Sequence, residues 1–197
     1  AANATKAFAG DLNNGNISYG LTADGSTDLN LQGFNLVGNP YPSSIDWMAT
    51  EGWTRDNLMT GSGGYDMWIW NPEAENYGVY NSADATGVGT NAVTRYIPPM
   101  QGFFVRAQTA GTLETTNDVR VHDATTVWKS GQIDPSRFIA VVHSENDQTF
   151  DEVRLLFGYP ENKTGAAKLF SPVTTAPSLY LPEGKANFTI RYLSDTI

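Results

Sequence analysis

Between Phe34 and Trp47 an apolar run, Phe34-Asn-Leu-Val-Gly38, meets Pro40 and Pro42. Proline has no N–H for a sheet ladder, so a strand here must stop and the chain must turn. The same grammar recurs downstream. Tyr65-Asp-Met-Trp-Ile-Trp70 ends at Asn71-Pro72, and Ile97-Pro-Pro-Met-Gln leads into Gly102-Phe-Phe-Val-Arg-Ala107. Short apolar runs, each closed by Gly, Pro or Asn, specify strands and turns. No long amphipathic helix is available for parallel crossovers. The pattern predicts an all-β chain, an antiparallel β-sandwich of jelly-roll type. Its one short helix is expected at Ile45–Met48, behind a capping Ser43-Ser44.

The remaining elements follow from the same cues. Asn13-Asn14-Gly15-Asn16 between Lys6–Leu12 and Ile17–Thr22 predicts a hairpin, because Asn-Gly accepts the positive φ of a tight turn. Residues 49–64 read as a polar loop. Tyr77-Gly-Val-Tyr80 pairs back on 65–70 across the Glu73–Asn76 turn, and a flexible loop spans 81–92. Further strands are expected at 112–115, 118–121, 125–128, 137–143, 151–157, 178–181 and 186–192. The domain is expected over 1–171, with Pro172–Pro177 as a stiff connector. Residues 172–197 then supply closing strands of the same domain or the start of a following module. With 197 residues, 40% of them hydrophobic, the chain can bury a core without staples.

Composition limits the function classes. A net charge of −9 and a pI near 4.5 argue against a nucleic-acid partner, which needs clustered Lys and Arg. The absence of cysteine excludes disulfides, thiol catalysis and thiolate metal sites. No apolar run reaches the about 18 residues of a membrane-spanning helix. Ala1-Ala2-Asn3-Ala4 lacks the basic start and apolar core of a signal peptide, so the chain is expected to be a mature fragment.

Candidate chemistry centres on aromatics. Trp68 and Trp70 are two apart and share a strand face with Asp66, opposite Met67 and Ile69. Exposed, such indoles stack on sugar rings; buried, they fill the core. Trp53, between Gly52 and Thr54, is a candidate exposed aromatic, and Trp47 a candidate anchor for the proline corner. The candidate ligand-binding set is therefore Trp53, Asp66, Trp68, Trp70, Tyr77 and Tyr80. Asp46, Asp56, Asp66, Glu73 and Glu75 form an acidic rim that leaves calcium open as the one cofactor. Their spacing matches no calcium loop. Asp151 and Glu152 are adjacent, so a strand turns them to opposite faces and denies them the shared cleft a glycosidase needs. His122 and His143 lack metal-ligand spacing, and no Gly-x-Ser-x-Gly elbow is present.

Several blocks together resemble a family of extracellular β-sandwich domains in type IX-secreted multidomain surface proteins of Bacteroidetes. They are Asn13-Asn14-Gly15, Gly38-Asn-Pro-Tyr-Pro-Ser43 with Ile45-Asp46-Trp47, Met67-Trp-Ile-Trp70, and Ile97-Pro-Pro-Met-Gln-Gly-Phe-Phe-Val105. Asp151-Glu152, Lys168-Leu169 and Leu179-Tyr180 continue the order. The resemblance implies a secreted or cell-surface location, with neighbouring domains of a parent protein as partners. It transfers no catalytic residue. The leading expectation is a non-catalytic structural or adhesive module. The alternative is a carbohydrate-binding module, calcium-assisted or not, with glycans as partners; a hydrolase ranks third.

Overall fold

The structure is a computed structural model that describes residues 10–23, 31–61, 64–83, 87–122, 137–146, 148–159 and 165–194. Its strands, in chain order, begin with β1 (Ile17–Leu21), β2 (Phe34–Gly38), β3 (Ser44–Asp46), β4 (Trp53–Thr54), β5 (Thr60–Gly61) and β6 (Gly64–Asn71). There follow β7 (Asn76–Asn81), β8 (Val88–Gly89), β9 (Tyr96–Ile97), β10 (Gly102–Arg106), β11 (Gly111–Thr115) and β12 (Arg120–Val121). The last are β13 (Arg137–His143), β14 (Phe150–Phe157), β15 (Ala166–Ala167), β16 (Leu181–Glu183) and β17 (Ala186–Leu193).

The central sheet has the order β2-β10-β6-β7-β8, with β5 folded onto β6. Both of its faces are packed around Met67 and Trp68, which is why Met67-Trp-Ile-Trp70 reads as one continuous apolar run. On one side Val37, Met67, Tyr80, Phe103 and Val105 pack with Leu21, Ile45, Trp47, Ile97 and Leu113. Those partners belong to or adjoin two small sheets, β1-β11-β4 and β12-β3-β9. On the other side Trp68 and Val79 meet Leu156, Ala166, Ile190 and Tyr192 of a fourth sheet, β13-β14-β17-β15. The expected all-β sandwich is thus present in three layers, with the long central sheet shared. Pairing is antiparallel except between β14 and β17, which run parallel. β17 lies between β14 and β15, while β16 forms a hairpin on it through Gly184 and Lys185.

Three local expectations are corrected. Residues 45–48 are not a helix: Ser44–Asp46 is a strand held between β12 and β9, with Ile45 fully buried. The turn after the prolines is set by Asn39 instead of a helix cap. Its side-chain amide donates to the carbonyls of Ser43, Ile97 and Pro98 at 2.8–3.0 Å, and its Oδ1 accepts the N–H of Tyr41. The one helical turn among the described residues, a 3-10 turn at Asn117–Val119, is capped by Thr116. Asn13–Asn16 is not a hairpin turn either. β1 pairs with the distant β11, and the loop is tied by Asn13 Nδ2 to Pro40 O and by Tyr41 Oη to Gly15 O. Residues 10–12 form no strand, and the rest of the expected first arm lies outside the described residues. Third, two expected strands are cut short: 118–121 is strand only at Arg120–Val121, behind the 3-10 turn, and 178–181 begins only at Leu181. The strand expected at 125–128 lies outside the described residues.

Gly33 is required where it stands. Its φ is +75°, and a Cβ there would sit 2.3 Å from the carbonyl oxygen of Ala107, whose N–H bonds Gly33 O.

Candidate functional site

Strand alternation divides the six candidate residues. On β6, Asp66, Trp68 and Trp70 face the fourth sheet, while Met67 and Ile69 face the opposite core. β7 pairs Trp70 with Tyr77 and Trp68 with Val79. Tyr77 therefore joins the tryptophan face. Tyr80, three residues on, turns to the other side and is buried there among Met67 and Phe103.

The fourth sheet covers one end of the tryptophan face. Trp68 is 1% exposed, donates its indole N–H to Ala167 O at 3.0 Å and meets Phe34 edge-on at 4.9 Å. Asp66 is buried beside it and accepts from Asn81 Nδ2, while Tyr192 Oη donates to Asn81 Oδ1 at 2.7 Å. Burial pushes the Asp66 carboxyl up to about 7, against the opposing effects of the Asn81 bond and of Arg106. Trp53 is also engaged. Its N–H donates to Asp46 O at 2.8 Å, its ring meets Trp47, and the Arg55 guanidinium lies over Trp47, Trp53 and Tyr65. Burial lowers Arg55 to about 10, yet Arg55 stays charged, bonded to Trp47 O and facing three ring systems.

What remains open is an aromatic strip at the other end of that face. Trp70 and Tyr77 are half-buried and stacked edge-to-face at 5.1 Å, and Tyr77 meets Phe104 at 5.6 Å. Leu36, paired with Phe104 across β2 and β10, is 66% exposed. Gly38 and Gly102, also paired, leave their end of the face without side chains, and a Cβ on either would meet nothing closer than 3.6 Å. Among the four described tryptophans, Trp47, Trp53 and Trp68 each donate to a backbone carbonyl. Trp70 has no such partner among the described residues, and neither has the Tyr77 hydroxyl. Donors left open at the rims of half-buried rings suit a ligand with both apolar faces and hydroxyls.

Trp70 and Tyr77 were foreseeable from the hairpin. Phe104, Leu36 and the glycine pair were not, because they arrive through the β2–β10 and β10–β6 pairings, which no local pattern encodes. Parity alone, however, separates Tyr77 from Tyr80.

The acidic residues do not converge on the strip. Asp46 is paired with Arg95 at 2.5 Å, and Asp56 and Glu73 are exposed. Asp151 and Glu152 are both buried, and Asn91 reaches both: its side chain donates to Asp151 Oδ1 and its backbone N–H to Glu152 Oε2. Asp151 also accepts from the Glu152 and Leu179 N–H groups and from Lys168, whose ammonium is wholly buried with it. Glu152 is paired with Arg154. These carboxylates tie the layers together. No group of three or more His, Asp or Glu side chains among the described residues is arranged to hold a metal ion. His143 is exposed against Phe150, and His122 is exposed at the end of β12.

A family model described as "Domain of unknown function (DUF8693)" matches residues 1–167. No curated protein matches the chain, and no solved structure matches it.

Proposed function

We propose that this chain, which belongs to the DUF8693 family, is a non-catalytic adhesive module of a larger secreted or surface protein, and that it binds carbohydrate on the Trp70–Tyr77–Phe104 strip. The observation that carries the reading is the contrast among the described tryptophans. Three are locked by carbonyl bonds, whereas Trp70 keeps a half-open ring and an indole N–H with no partner among the described residues, beside a tyrosine hydroxyl in the same state. Stacking would use the ring faces, and the two donors would meet sugar hydroxyls. The extracellular setting and neighbouring domains rest on the resemblance of the proline and aromatic blocks to Bacteroidetes surface modules.

The test is isothermal titration of soluble neutral polysaccharides against the wild type and two variants. Trp70→Ala is expected to weaken binding about tenfold or more, the loss of roughly 1.4 kcal/mol. Trp53→Phe keeps a ring under Arg55 and should bind as the wild type. Saturable binding that survives Trp70→Ala would place the glycan elsewhere and defeat the strip. If no neutral glycan binds, the carbohydrate part of the reading falls and a purely structural role remains.

A further inference from the structure

A second site lies at the proline corner, built by β3 and β12. Two adjoining hollows of about 190 and 460 Å³ share Ser43, Arg120, Val121 and His122 as lining. The pairing Val121↔Ser44 and Arg120↔Ile45 sets the Arg120 side chain beside Ser43. There Arg120 Nε donates to Ser43 Oγ at 3.0 Å, and Nη1 reaches Asn117 Oδ1 at 3.4 Å. The guanidinium carbon lies 5.6 Å from the Tyr41 ring centroid. Tyr41 is itself fixed, 1% exposed, with its hydroxyl on Gly15 O and Thr115 O.

This arginine differs from the others. Arg95, Arg154 and Arg191 are each paired with a carboxylate, Arg55 lies half-buried over three rings, Arg106 donates to Gln32 O, and Arg137 is also engaged. Among the described residues Arg120 has no ion-pair partner, and its Nη2 donates to nothing. The nearest acid in sequence, Asp118, is held by the Thr116 hydroxyl. His122, directly after β12 and lining the cleft, has neither ring nitrogen engaged by a described residue. A guanidinium pre-oriented by Ser43, Asn117 and Tyr41 loses little rotamer freedom on binding an anion, and its open edge matches a carboxylate.

We propose that the Arg120–His122–Ser43 cleft binds a carboxylate-bearing ligand, with Arg120 as the charge partner, Ser43 Oγ–H as a second donor and His122 at the rim. In a chain of net charge −9 this places a local cationic site where an acidic group would be repelled elsewhere. The polar lining of Ser43 and Asn117 suits the hydroxyls of a uronic acid within a glycan, the source proposed here; a free peptide C-terminus is an outcome the test separates. The site is independent of the aromatic strip.

The experiment is NMR titration of the full chain with glucuronate, with glucose as its uncharged counterpart, and with a short peptide as free acid and as C-terminal amide. Saturable shifts at Arg120, Val121 and His122 are expected from glucuronate and not from glucose. Arg120→Gln should weaken that acid at least tenfold. His122→Ala, which leaves the Ser43 and Tyr41 contacts in place, should weaken it two- to fivefold. Binding should be unchanged in Trp70→Ala, so its loss there would reassign the acid to the strip. Equal response to glucose and glucuronate would overturn the proposal, as would silence toward both acids at 50-fold excess over roughly millimolar affinity. Preference for glucuronate supports the sugar acid, and preference for the free-acid peptide would overturn it in favour of a chain terminus.

Discussion

Replacing Asp66 with asparagine should stabilise the protein at alkaline pH and leave it nearly unchanged at acid pH. Asp66 sits on β6 in the interface with the fourth sheet, and burial raises its carboxyl from 3.8 to about 7. The folded state therefore keeps a proton that the unfolded chain releases between those values. The stability contribution is complete below about pH 4, declines as the pH rises through 7 and is lost above it. A displacement of about three units corresponds to a ceiling of about 4 kcal/mol, at about 1.4 kcal/mol each. The substituted amide would keep an oxygen for Asn81 Nδ2 to donate to, so the Asn81–Tyr192 connection survives. It would also remove the charge that offsets the burial of Arg106, which draws the net gain below that ceiling. The assay is thermal unfolding of both proteins in steps from pH 4.5 to 8.5. For a chain of this size, a gain of about 2–3 kcal/mol raises Tm by roughly 4–10 °C. The Tm difference should widen from the acid end of this range up to about pH 7 and then level. A difference independent of pH would refute the argument, and so would a variant that loses stability relative to the wild type as the pH rises.

Other consequences follow from the buried charge and the backbone. Lys168→Met removes the partner of a carboxylate that is fully enclosed and should cost about 3–5 kcal/mol, read by urea denaturation. Asp151→Asn in the same background should recover part of that loss; additive losses would contradict a direct ion pair. Met100 is 61% exposed with φ +62° in the Pro98–Gln101 turn, where a side chain is strained and contributes little packing. Met100→Gly should therefore stabilise by about 0.5–1 kcal/mol, after the added entropy of the unfolded chain. A destabilised Met100→Gly would show that the exposed side chain makes contacts that matter.

Much of the fold was legible in the strand-and-break pattern. The prolines at 40, 42 and 72 end strands because they carry no ladder donor, and the β6–β7 hairpin follows from apolar runs around a four-residue turn. The Ser43–Trp47 segment reads as helical in sequence because a capping serine and short apolar stretch fit one helical turn as well as a strand. Its true state depends on β9 and β12, which lie tens of residues away. The same holds for Asn13–Gly15. Its turn chemistry is genuine, yet the better partner for Ile17–Leu21 is β11.

The amino-acid sequence by itself determined the all-β class, the strand ends and which tryptophans share a face, because these rest on backbone donors and a two-residue period. Only tertiary structure decided which of those tryptophans stays open. Trp68 and Trp70 are equivalent along β6; Ala167 and the fourth sheet cover the first and leave the second. Tertiary structure likewise brought Phe104 and Leu36 to the Trp70–Tyr77 pair, and Arg120 to Ser43. Each of these meetings is a long-range pairing chosen by burial summed over whole layers, and no local stretch of sequence carries that sum.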